Sequence, residues 1–374
     1  MSHRHPTIAE INLGAFRRNL KAVRKRVGPH RAVFAVVKAN AYGHGIIPIS
    51  QAALSEGIEG LAVAFVEEGI RLRQSGVTKP IIVMAGFLPA EAEGVLEHHL
   101  IPVLSEPAQM DQLNLEARKR SRRVPVHIKV DTGMGRLGIL NSGLKDFLAR
   151  APEMTHLDIN GLMSHFADEN LGDPAGAEDQ IVQFERALKS VEAAGIKPSL
   201  IHMANSAAIS GLERAWFNAV RPGIMLYGYP PSQDKKLRSR FQPVLTLKTQ
   251  IIHIKNVPPG ATISYGRTFT TKRKSRIAVL PIGYADGYSR SWTNKGVVLI
   301  GGRRAPVVGR VCMDMTMADV TDIPEAGRET EAVLIGRQGD DVLGADMLAR
   351  EAGTIPYEIL CSVGPRVPRI YRQD

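Results

Sequence analysis

A lysine followed by a glycine-rich turn is the first feature of this sequence that could do chemistry. The segment Ala35-Val-Val-Lys-Ala-Asn-Ala-Tyr-Gly-His-Gly45 places Lys38 directly after a short apolar run. Partly apolar surroundings lower the pKa of a lysine, because burial disfavours its charged form. A neutral amine can attack a carbonyl carbon, so Lys38 is a candidate for forming an imine. A solvated charge at the end of a strand is the alternative interpretation.

Two later segments could hold an anion. They read Ala204-Asn-Ser-Ala207 and Arg221-Pro-Gly-Ile224. Glycine lets a backbone approach an anion closely, so the N–H groups of Gly223 and Ile224 could bind a phosphate together with the hydroxyl of Ser206. The alternative is an ordinary turn followed by a helix cap.

Other motifs argue against two further kinds of site. Residues 133–138 match the dinucleotide fingerprint G-x-G-x-x-G, but they follow the fifth predicted strand, and the candidate acid Asp158 precedes the next strand. The eleven histidines form no H-E-x-x-H, and the chain has no C-x-x-C, so no metal site is predicted. His165 and His202 lie within predicted strands and could face an interior.

An alternation of short apolar runs and helical stretches positions these residues. Eight runs separated by helices predict a (β/α)8 barrel over residues 1–238, with an open doubly wound sheet as the alternative. The runs are Val33–Ala39, Gly60–Phe65, Pro80–Ala85, Ile101–Ser105, Val124–Thr132, Ile159–Phe166, Leu200–Ser206 and Phe217–Gly228. Barrel enzymes keep their chemistry at the carboxyl ends of the strands and often bind phosphate after strands seven and eight. A lysine after the first strand, together with a phosphate-binding site after strands seven and eight, suggests pyridoxal phosphate.

The remaining part of the chain, residues 239–374, has the pattern of a mostly β domain. Glycine and proline turns divide its strand-like segments, and one helix is predicted at Ala345–Glu351. The segments are Val244–Ile254, Ile277–Leu280, Val297–Ile300, Pro306–Val311 and Ala332–Ile335. The sequence therefore predicts a barrel followed by a smaller β domain.

Composition narrows the class of protein. The chain has 374 residues, 44% of them hydrophobic, which is too long for one core and typical of a folded protein. No signal peptide or membrane helix is predicted, and two cysteines fit a reducing cytoplasm. The net charge of +11 raises the question of nucleic acid, but aromatic residues make up only 5% and no recognition motif is present. We expect no nucleic-acid partner.

Six segments in the same order resemble the bacterial alanine racemases, and the resemblance extends from Ile8 to Tyr371. They are Ala-Val-Val-Lys-Ala-Asn-Ala-Tyr-Gly-His-Gly, Val-Asp-Thr-Gly-Met-Gly-Arg-Leu-Gly, Arg-Pro-Gly-Ile, Ser264-Tyr-Gly-Arg267, Gly309-Arg-Val-Cys-Met-Asp-Met315 and Arg366-Val-Pro-Arg369. The resemblance implies interconversion of L- and D-alanine, with D-alanine used for peptidoglycan. Lys38 would carry pyridoxal phosphate and serve as the base for D-alanine, and Tyr265 would serve L-alanine from the opposite face.

The resemblance also implies roles for other residues. Arg221 would face the pyridine nitrogen, and His165 would link Arg221 to Tyr265. The substrate carboxylate would contact Arg136 and the N–H of Met313, while Tyr42 and Tyr357 would lie near the cofactor phosphate and the pocket mouth. Tyr265, Cys312, Met313 and Asp314 would complete the active site of the partner subunit in a homodimer. Residues of an access corridor are implied at Tyr284, Arg290 and Arg310.

Lys129 and Asp168 are two further candidates. Lys129 shares a strand face with His127 and Asp131, and the matching lysine of the family is often carbamylated; pairing with Asp131 is the alternative. The segment after His165 is shorter than the commoner form, which leaves a corridor role of Asp168 open. Alternative functions are a broader-specificity amino-acid racemase, a barrel decarboxylase for basic amino acids, and a single-barrel protein that binds pyridoxal phosphate.

Overall fold

The computed structural model describes residues 6–168 and 171–374. It divides into two compact units. Of the described residues, the barrel unit comprises 16–41, 46–168 and 171–242, and the β unit comprises 6–15, 42–45 and 243–374. The amino-terminal segment thus belongs to the β unit, whereas the sequence division at residue 238 assigned it to the barrel.

The strands are numbered in chain order. They are β1 (Ile8–Asn12), β2 (Ala32–Val36), β3 (Gly60–Val63), β4 (Ile81–Val83), β5 (Ile101–Leu104), β6 (Val124–Asp131), β7 (Ile139–Leu140), β8 (Leu157–Met163), β9 (Leu200–His202), β10 (Ala219–Val220), β11 (Leu245–Gln250), β12 (His253–Val257), β13 (Thr262–Ile263), β14 (Phe269–Thr270), β15 (Ser275–Leu280), β16 (Val297–Ile300), β17 (Arg303–Pro306), β18 (Thr316–Asp319), β19 (Glu331–Gln338), β20 (Asp341–Leu343) and β21 (Arg369–Arg372).

The right-handed helices follow the same order. They are α1 (Leu13–Val27), α2 (Ile46–Leu54), α3 (Val66–Gln74), α4 (Ala92–Glu97), α5 (Pro107–Lys119), α6 (Asn141–Ala149), α7 (Pro174–Ala193), α8 (Ser206–Gly211), α9 (Lys235–Arg238), α10 (Ala345–Ala352) and α11 (Pro356–Cys361). Short 3-10 turns include Ile224–Tyr227, Tyr265–Arg267, Tyr284–Asp286 and Arg290–Trp292. No helix among the described residues is long and apolar enough to cross a bilayer.

Eight parallel strands form the predicted barrel. Their order is β10-β2-β3-β4-β5-β6-β8-β9, and the backbone N–H of Arg221 donates to the carbonyl of Ala204 at 2.9 Å, which joins the two ends. Strands β3, β4 and β5 are buried along their whole length, since helices cover one face and the barrel interior the other. Because the eight strands form a ring in this order, the carboxyl ends of β9, β10 and β2 are neighbours.

The eighth predicted strand is much shorter than the sequence suggested. Only Ala219–Val220 pair with β2, and the chain then enters the 3-10 turn Ile224–Tyr227. Pro222 has no N–H to donate to a strand neighbour, which ends the pairing. The prediction over Phe217–Gly228 was wrong beyond Val220, and it mistook a buried apolar turn for a strand.

Helix α1 shows why the amphipathic pattern was informative. Phe16, Leu20, Val23 and Val27 are each no more than 1% exposed. Arg24, on the opposite side of the sequence pattern, donates to Glu59 at 2.7 Å. The apolar stripe packs into the core and leaves the charges toward solvent, as helical periodicity predicts.

The β unit is built on a seven-stranded sheet. Its order is β17-β16-β19-β11-β1-β21, with β20 paired to β19, so β1 lies between two strands from the far end of the chain. A three-stranded sheet, β12-β15-β18, packs around Val257, Ile263, Ile277 and Val308. This second core excludes the single-barrel alternative. Cys312 and Cys361 form no disulfide within the described residues.

Candidate active site

The chain makes one turn of left-handed helix immediately after Lys38. Residues 39–42 have φ values of 53°, 54°, 54° and 52°. This conformation places Cβ too close to the following carbonyl oxygen, so each L-residue costs about 1–2 kcal/mol there. Four such residues in sequence, none of them glycine, make this the most strained backbone segment that the structure describes.

Polar contacts hold this strained turn in place. The N–H of Ala39 donates to Glu68 at 2.6 Å, and the side-chain oxygen of Asn40 accepts from the N–H of Ile46 at 2.9 Å. Glu68 also accepts from the N–H of Ala64 at 2.8 Å, which ties the turn to the end of β3. Strain of this kind persists only where the surroundings fix it, and it concentrates at functional sites.

The two segments that could hold an anion meet at one end of the barrel. The Ser206 hydroxyl oxygen, at the start of α8, accepts from the N–H of Gly223 at 2.9 Å and from the N–H of Met225 at 3.4 Å. Ile224 opens a 3-10 turn, where the first N–H groups have no acceptor within the turn. Since Ser206 follows β9 and Gly223 follows β10, both lie at the barrel edge that carries Lys38 after β2.

Arg221 is buried and uses four of its five N–H donors on the protein. Nη1 donates to Nδ1 of His202 at 2.7 Å and to the carbonyl of His202 at 2.9 Å. Nη2 donates to the carbonyls of Ser164 and Met203, at 2.8 Å and 3.3 Å, and to Nδ1 of His165 at 3.3 Å. Among the described residues nothing accepts from Nε–H, which leaves one fixed donor for a ligand.

Burial sets the protonation of this region. It lowers the pKa of Arg221 to about 10, which still leaves the guanidinium charged at neutral pH. Burial also lowers the pKa of His165 well below its usual value, and the charge of Arg221 adds to that effect. His165 is therefore neutral and can accept the proton that Nη2 offers.

The glycine-rich segment after β6 is organised by Asp131. Its carboxylate accepts from the N–H groups of Gly133, Met134 and Gly135 at 2.8–3.2 Å. A Cβ on Gly138, where φ is +126°, would lie 2.6 Å from the backbone nitrogen of Asp131. These glycines thus shape the loop that presents the exposed Arg136, which explains the fingerprint match without a dinucleotide.

Lys129 lies on the same strand, β6, and is only 4% exposed. Burial, together with the charges of Arg221 and Arg136, lowers its pKa to about 8. Lys129 forms no ion pair within the described residues, and the Asp131 carboxylate that could have paired with it binds the loop instead. A large fraction of its amine is consequently neutral near pH 8.

The residues predicted from the second domain gather in the β unit. Tyr265, Cys312, Met313 and Asp314 line one cavity of about 450 Å³, together with Ser264, Met315 and Met317. The side chain of Tyr265 is 71% exposed. Tyr42 and Tyr357 contact each other in the same unit, with ring centroids 5.9 Å apart.

Sequence reasoning missed the contacts that brace the Met313 loop, although it named Tyr284 as a corridor residue. Tyr284 and Ala285 donate their N–H groups to the carbonyls of Cys312 and Met313, at 3.0 Å and 3.1 Å. Arg366 donates to the buried Asp286 at 2.7 Å and to Asp314 at 2.7 Å, which joins the two loops. The only sequence signal was that Arg366 opens one of the six segments of the resemblance, which implied no role for it.

The structure thus divides the predicted site between the two units. The barrel unit holds Lys38, Lys129, Arg136, His165, Ser206, Arg221, Gly223 and Ile224, and the β unit holds Tyr42, Tyr265, Cys312, Met313, Asp314 and Tyr357. The corridor residues Tyr284, Arg290 and Arg310 also belong to the β unit, and Asp168 accepts from the N–H of Asp173 at 3.1 Å in the barrel unit. The described residues contain no group of three or more metal ligands.

Comparison with known proteins identifies the family. Residues 11–231 match the alanine racemase N-terminal domain, and residues 244–371 match the alanine racemase C-terminal domain. The chain is 44% identical over 367 residues to an alanine racemase of Halothermothrix orenii, covering 98% of this chain and 97% of that protein.

Solved structures agree with the sequence match. An alanine racemase from Streptomyces lavendulae superposes with a TM-score of 0.94 at 32% identity, covering 100% of this chain and 98% of that one. One from Bartonella henselae, with covalently bound pyridoxal phosphate, superposes with a TM-score of 0.89 at 29% identity, covering 98% and 99% of the two chains. With both domains matched in order and the whole fold shared, this chain is a member of the alanine racemase family of amino-acid isomerases.

Proposed function

We propose that this protein interconverts L- and D-alanine with pyridoxal phosphate as cofactor. The observation that carries the proposal is the arrangement at one barrel edge of Lys38, the Ser206 hydroxyl beside Gly223 and the N–H of Ile224, and the single remaining donor of Arg221. Each of these groups suits one part of pyridoxal phosphate: an amine for its aldehyde, N–H and O–H groups for its phosphate, and an N–H for its ring nitrogen. The donor set therefore fits the cofactor.

The cofactor, when bound, stabilises negative charge that develops at the alanine Cα. Arg221 sets how strongly it does so. A guanidinium donates a hydrogen bond but keeps its proton, so the ring nitrogen is left without a full positive charge. A weaker electron sink discourages competing outcomes such as transamination.

Two residues of the chain move the proton at Cα. Inversion is direct when one group removes the proton and a second group returns one from the opposite face. We assign Nζ of Lys38 to D-alanine and the phenol oxygen of Tyr265 to L-alanine. Because Tyr265 lies in the β unit and is largely exposed, we propose that it reaches the barrel of a partner subunit in a homodimer.

Arg136 and the N–H of Met313 bind the substrate carboxylate in this proposal. Lys129 supports Arg136 as a carbamate: its neutral amine forms an N–C bond to carbon dioxide and one proton leaves to solvent. The product is an anion, which can accept a charge-assisted hydrogen bond from the nearby guanidinium. The lowered pKa of Lys129 and its lack of an ion pair among the described residues support this assignment.

The biological role follows from the product. We propose that the enzyme works in the cytoplasm and supplies D-alanine for peptidoglycan. A broader specificity is the main alternative.

Borohydride reduction tests the cofactor assignment. The purified protein should be yellow, and reduction should fix the cofactor to the peptide that contains Lys38. Lys38→Ala should abolish both, whereas Lys189→Ala, at an exposed lysine of α7, should leave both unchanged. Recovery of the adduct on any other lysine would refute the assignment.

Racemisation assays then test the substrate. L-alanine, L-serine and L-lysine are incubated separately with the protein, and the loss of optical rotation is recorded. Activity confined to alanine supports the proposal, and equal rates with serine or lysine favour the broader racemase. Loss of carbon dioxide from lysine would indicate a decarboxylase.

A further inference from the structure

Two buried histidines lie behind Arg221 and have no part in the function proposed above. His127 belongs to β6 and His202 to β9, and neither has any exposed surface. Nε2 of His202 lies 2.9 Å from Nδ1 of His127, and Nδ1 of His202 lies 2.7 Å from Nη1 of Arg221. The three side chains form one continuous row of hydrogen bonds inside the barrel.

The chemistry of arginine fixes the direction of every bond in this row. A guanidinium can only donate, so Nδ1 of His202 must carry a lone pair. The proton of His202 is then on Nε2, and it is donated to Nδ1 of His127. That nitrogen must also be an acceptor, so His127 carries its proton on its own Nε2. A protonated His202 would set two donors against each other at 2.7 Å.

The pKa shifts of the two histidines agree with these proton positions. Burial lowers the pKa of His127 to about 3, and the charge of Arg221 contributes. The same causes lower the pKa of His202 well below its usual value, and His127 adds to them. Both imidazoles are neutral at physiological pH, so each has one donor and one acceptor.

The barrel accommodates the two imidazoles, but one of their hydrogen-bond donors is left unsatisfied. A Cβ on Gly161 would lie 2.1 Å from Cδ2 of His127, so only glycine at this position of β8 admits the ring. Phe34 stacks against His202, with planes 24° apart. Nε2 of His127 has no hydrogen-bond partner among the described residues, and an unsatisfied buried donor destabilises a fold. Two apolar side chains would avoid that cost, which points to a use for the row.

We propose that His202, oriented by His127, is a positioning residue that fixes Arg221 so that Nε–H is the donor left for the cofactor ring nitrogen. Nδ1 of His202 makes the shortest contact of the guanidinium. With Nη1 and Nη2 both committed to acceptors of the barrel, the guanidinium plane cannot rotate to offer a different N–H. This inference rests on the proposed function, because it needs a ring nitrogen in front of Arg221.

Two substitutions at His202 separate positioning from packing. In His202→Asn, the side-chain oxygen takes about the place of Nδ1, so the acceptor for Arg221 is kept while the bond to His127 is lost. In His202→Leu, both are lost. A purely structural histidine would make the two variants alike, since neither retains the bond between the imidazoles.

We expect the kcat of His202→Leu for alanine to fall about 10- to 100-fold, the range for losing one hydrogen bond to a charged group. Its KM should change little, because the substrate carboxylate is bound elsewhere. His202→Asn should retain most of the kcat. The absorption band of the bound cofactor should shift in the leucine variant and stay at the wild-type position in the asparagine variant. Equal kcat and equal spectra in the two variants would overturn the proposal.

Histidine ¹⁵N spectra of the wild-type protein provide a test that needs no variant to fold. Both His127 and His202 should be neutral with the proton on Nε2, with and without cofactor. A proton on Nδ1 of His202 would overturn the proposal even if both variants are unstable. A wild-type protein that does not racemise alanine would instead refute the proposed function, so the two failures are distinguishable.

Discussion

Replacing Ala39 by glycine should stabilise this protein, although glycine usually weakens a helical turn. Ala39 has φ 53° and ψ 51°, and its methyl group is exposed. The left-handed conformation costs an L-residue about 1–2 kcal/mol, and glycine avoids that cost. Because the residue is exposed, little packing is lost with the methyl group, and the N–H that donates to Glu68 remains.

The size of the effect follows from two opposing terms. Glycine also makes the unfolded chain more flexible, which costs about 0.5–1 kcal/mol. The net gain in the free energy of unfolding should therefore be about 0.5–1 kcal/mol. In a chain of this length that raises Tm by about 1 °C. Ala41→Gly should gain less, since Ala41 is fully buried and loses its packing.

Urea unfolding, followed by circular dichroism, measures this difference. Protein concentration and cofactor saturation must be equal in all samples, because association and ligand binding also stabilise the native state. Ala22→Gly is the control, at a half-buried position in the middle of the right-handed helix α1, and should lose at least about 0.5–1 kcal/mol. If Ala39→Gly loses as much stability as the control, the strain assigned to the turn is absent.

Three further predictions concern the site. In deuterated water, Tyr265→Phe should no longer exchange the Cα proton of L-alanine, while Lys38 still exchanges that of D-alanine. Exchange is measured by NMR on cofactor-loaded protein, and equal losses for both enantiomers would contradict separate bases. Lys129→Ala should raise the KM for alanine and be partly rescued by acetate, and a wild-type KM without added anion would contradict the carbamate. Because the folded-state pKa of His127 is lowered to about 3 from 6.5, the unfolded chain binds a proton below pH 6.5 that the folded chain does not. Above that pH this group should not change the free energy of unfolding, and between pH 6 and 5 that free energy should fall by about 1.4 kcal/mol per pH unit. Urea unfolding at several pH values should give a smaller slope for His127→Asn than for the wild-type protein.

Much of the barrel could be predicted because its signals are local. Short, wholly apolar runs such as Ile101–Leu104 become buried parallel strands, and the stripe of Phe16 and Leu20 becomes the buried face of a helix. Once eight such strands close in order, the carboxyl ends of β2, β9 and β10 must be neighbours. Strand order thus places Lys38 and Ser206 on one edge before any side-chain contact is known.

Other features depend on partners far away in the sequence, and a local pattern cannot contain them. The left-handed turn after Lys38 has no glycine to predict it, and it exists because Glu68 and the Ile46 amide fix its polar groups. Strand β1 joins the second unit because its edges pair with residues 245–248 and 369–372.

The sequence by itself determined the two-domain plan and the residue types for the chemistry, since these follow from periodicity and from the short motifs around Lys38, Arg136, Arg221 and Tyr265. Only the tertiary structure decided how each group is held. In the folded chain the Asp131 carboxylate accepts from the loop N–H groups, and Lys129 has no ion pair among the described residues. The fold also committed four donors of Arg221 to the barrel and left the fifth for a ligand. The physical reason is that hydrogen bonds and burial are settled between elements that meet only in the fold.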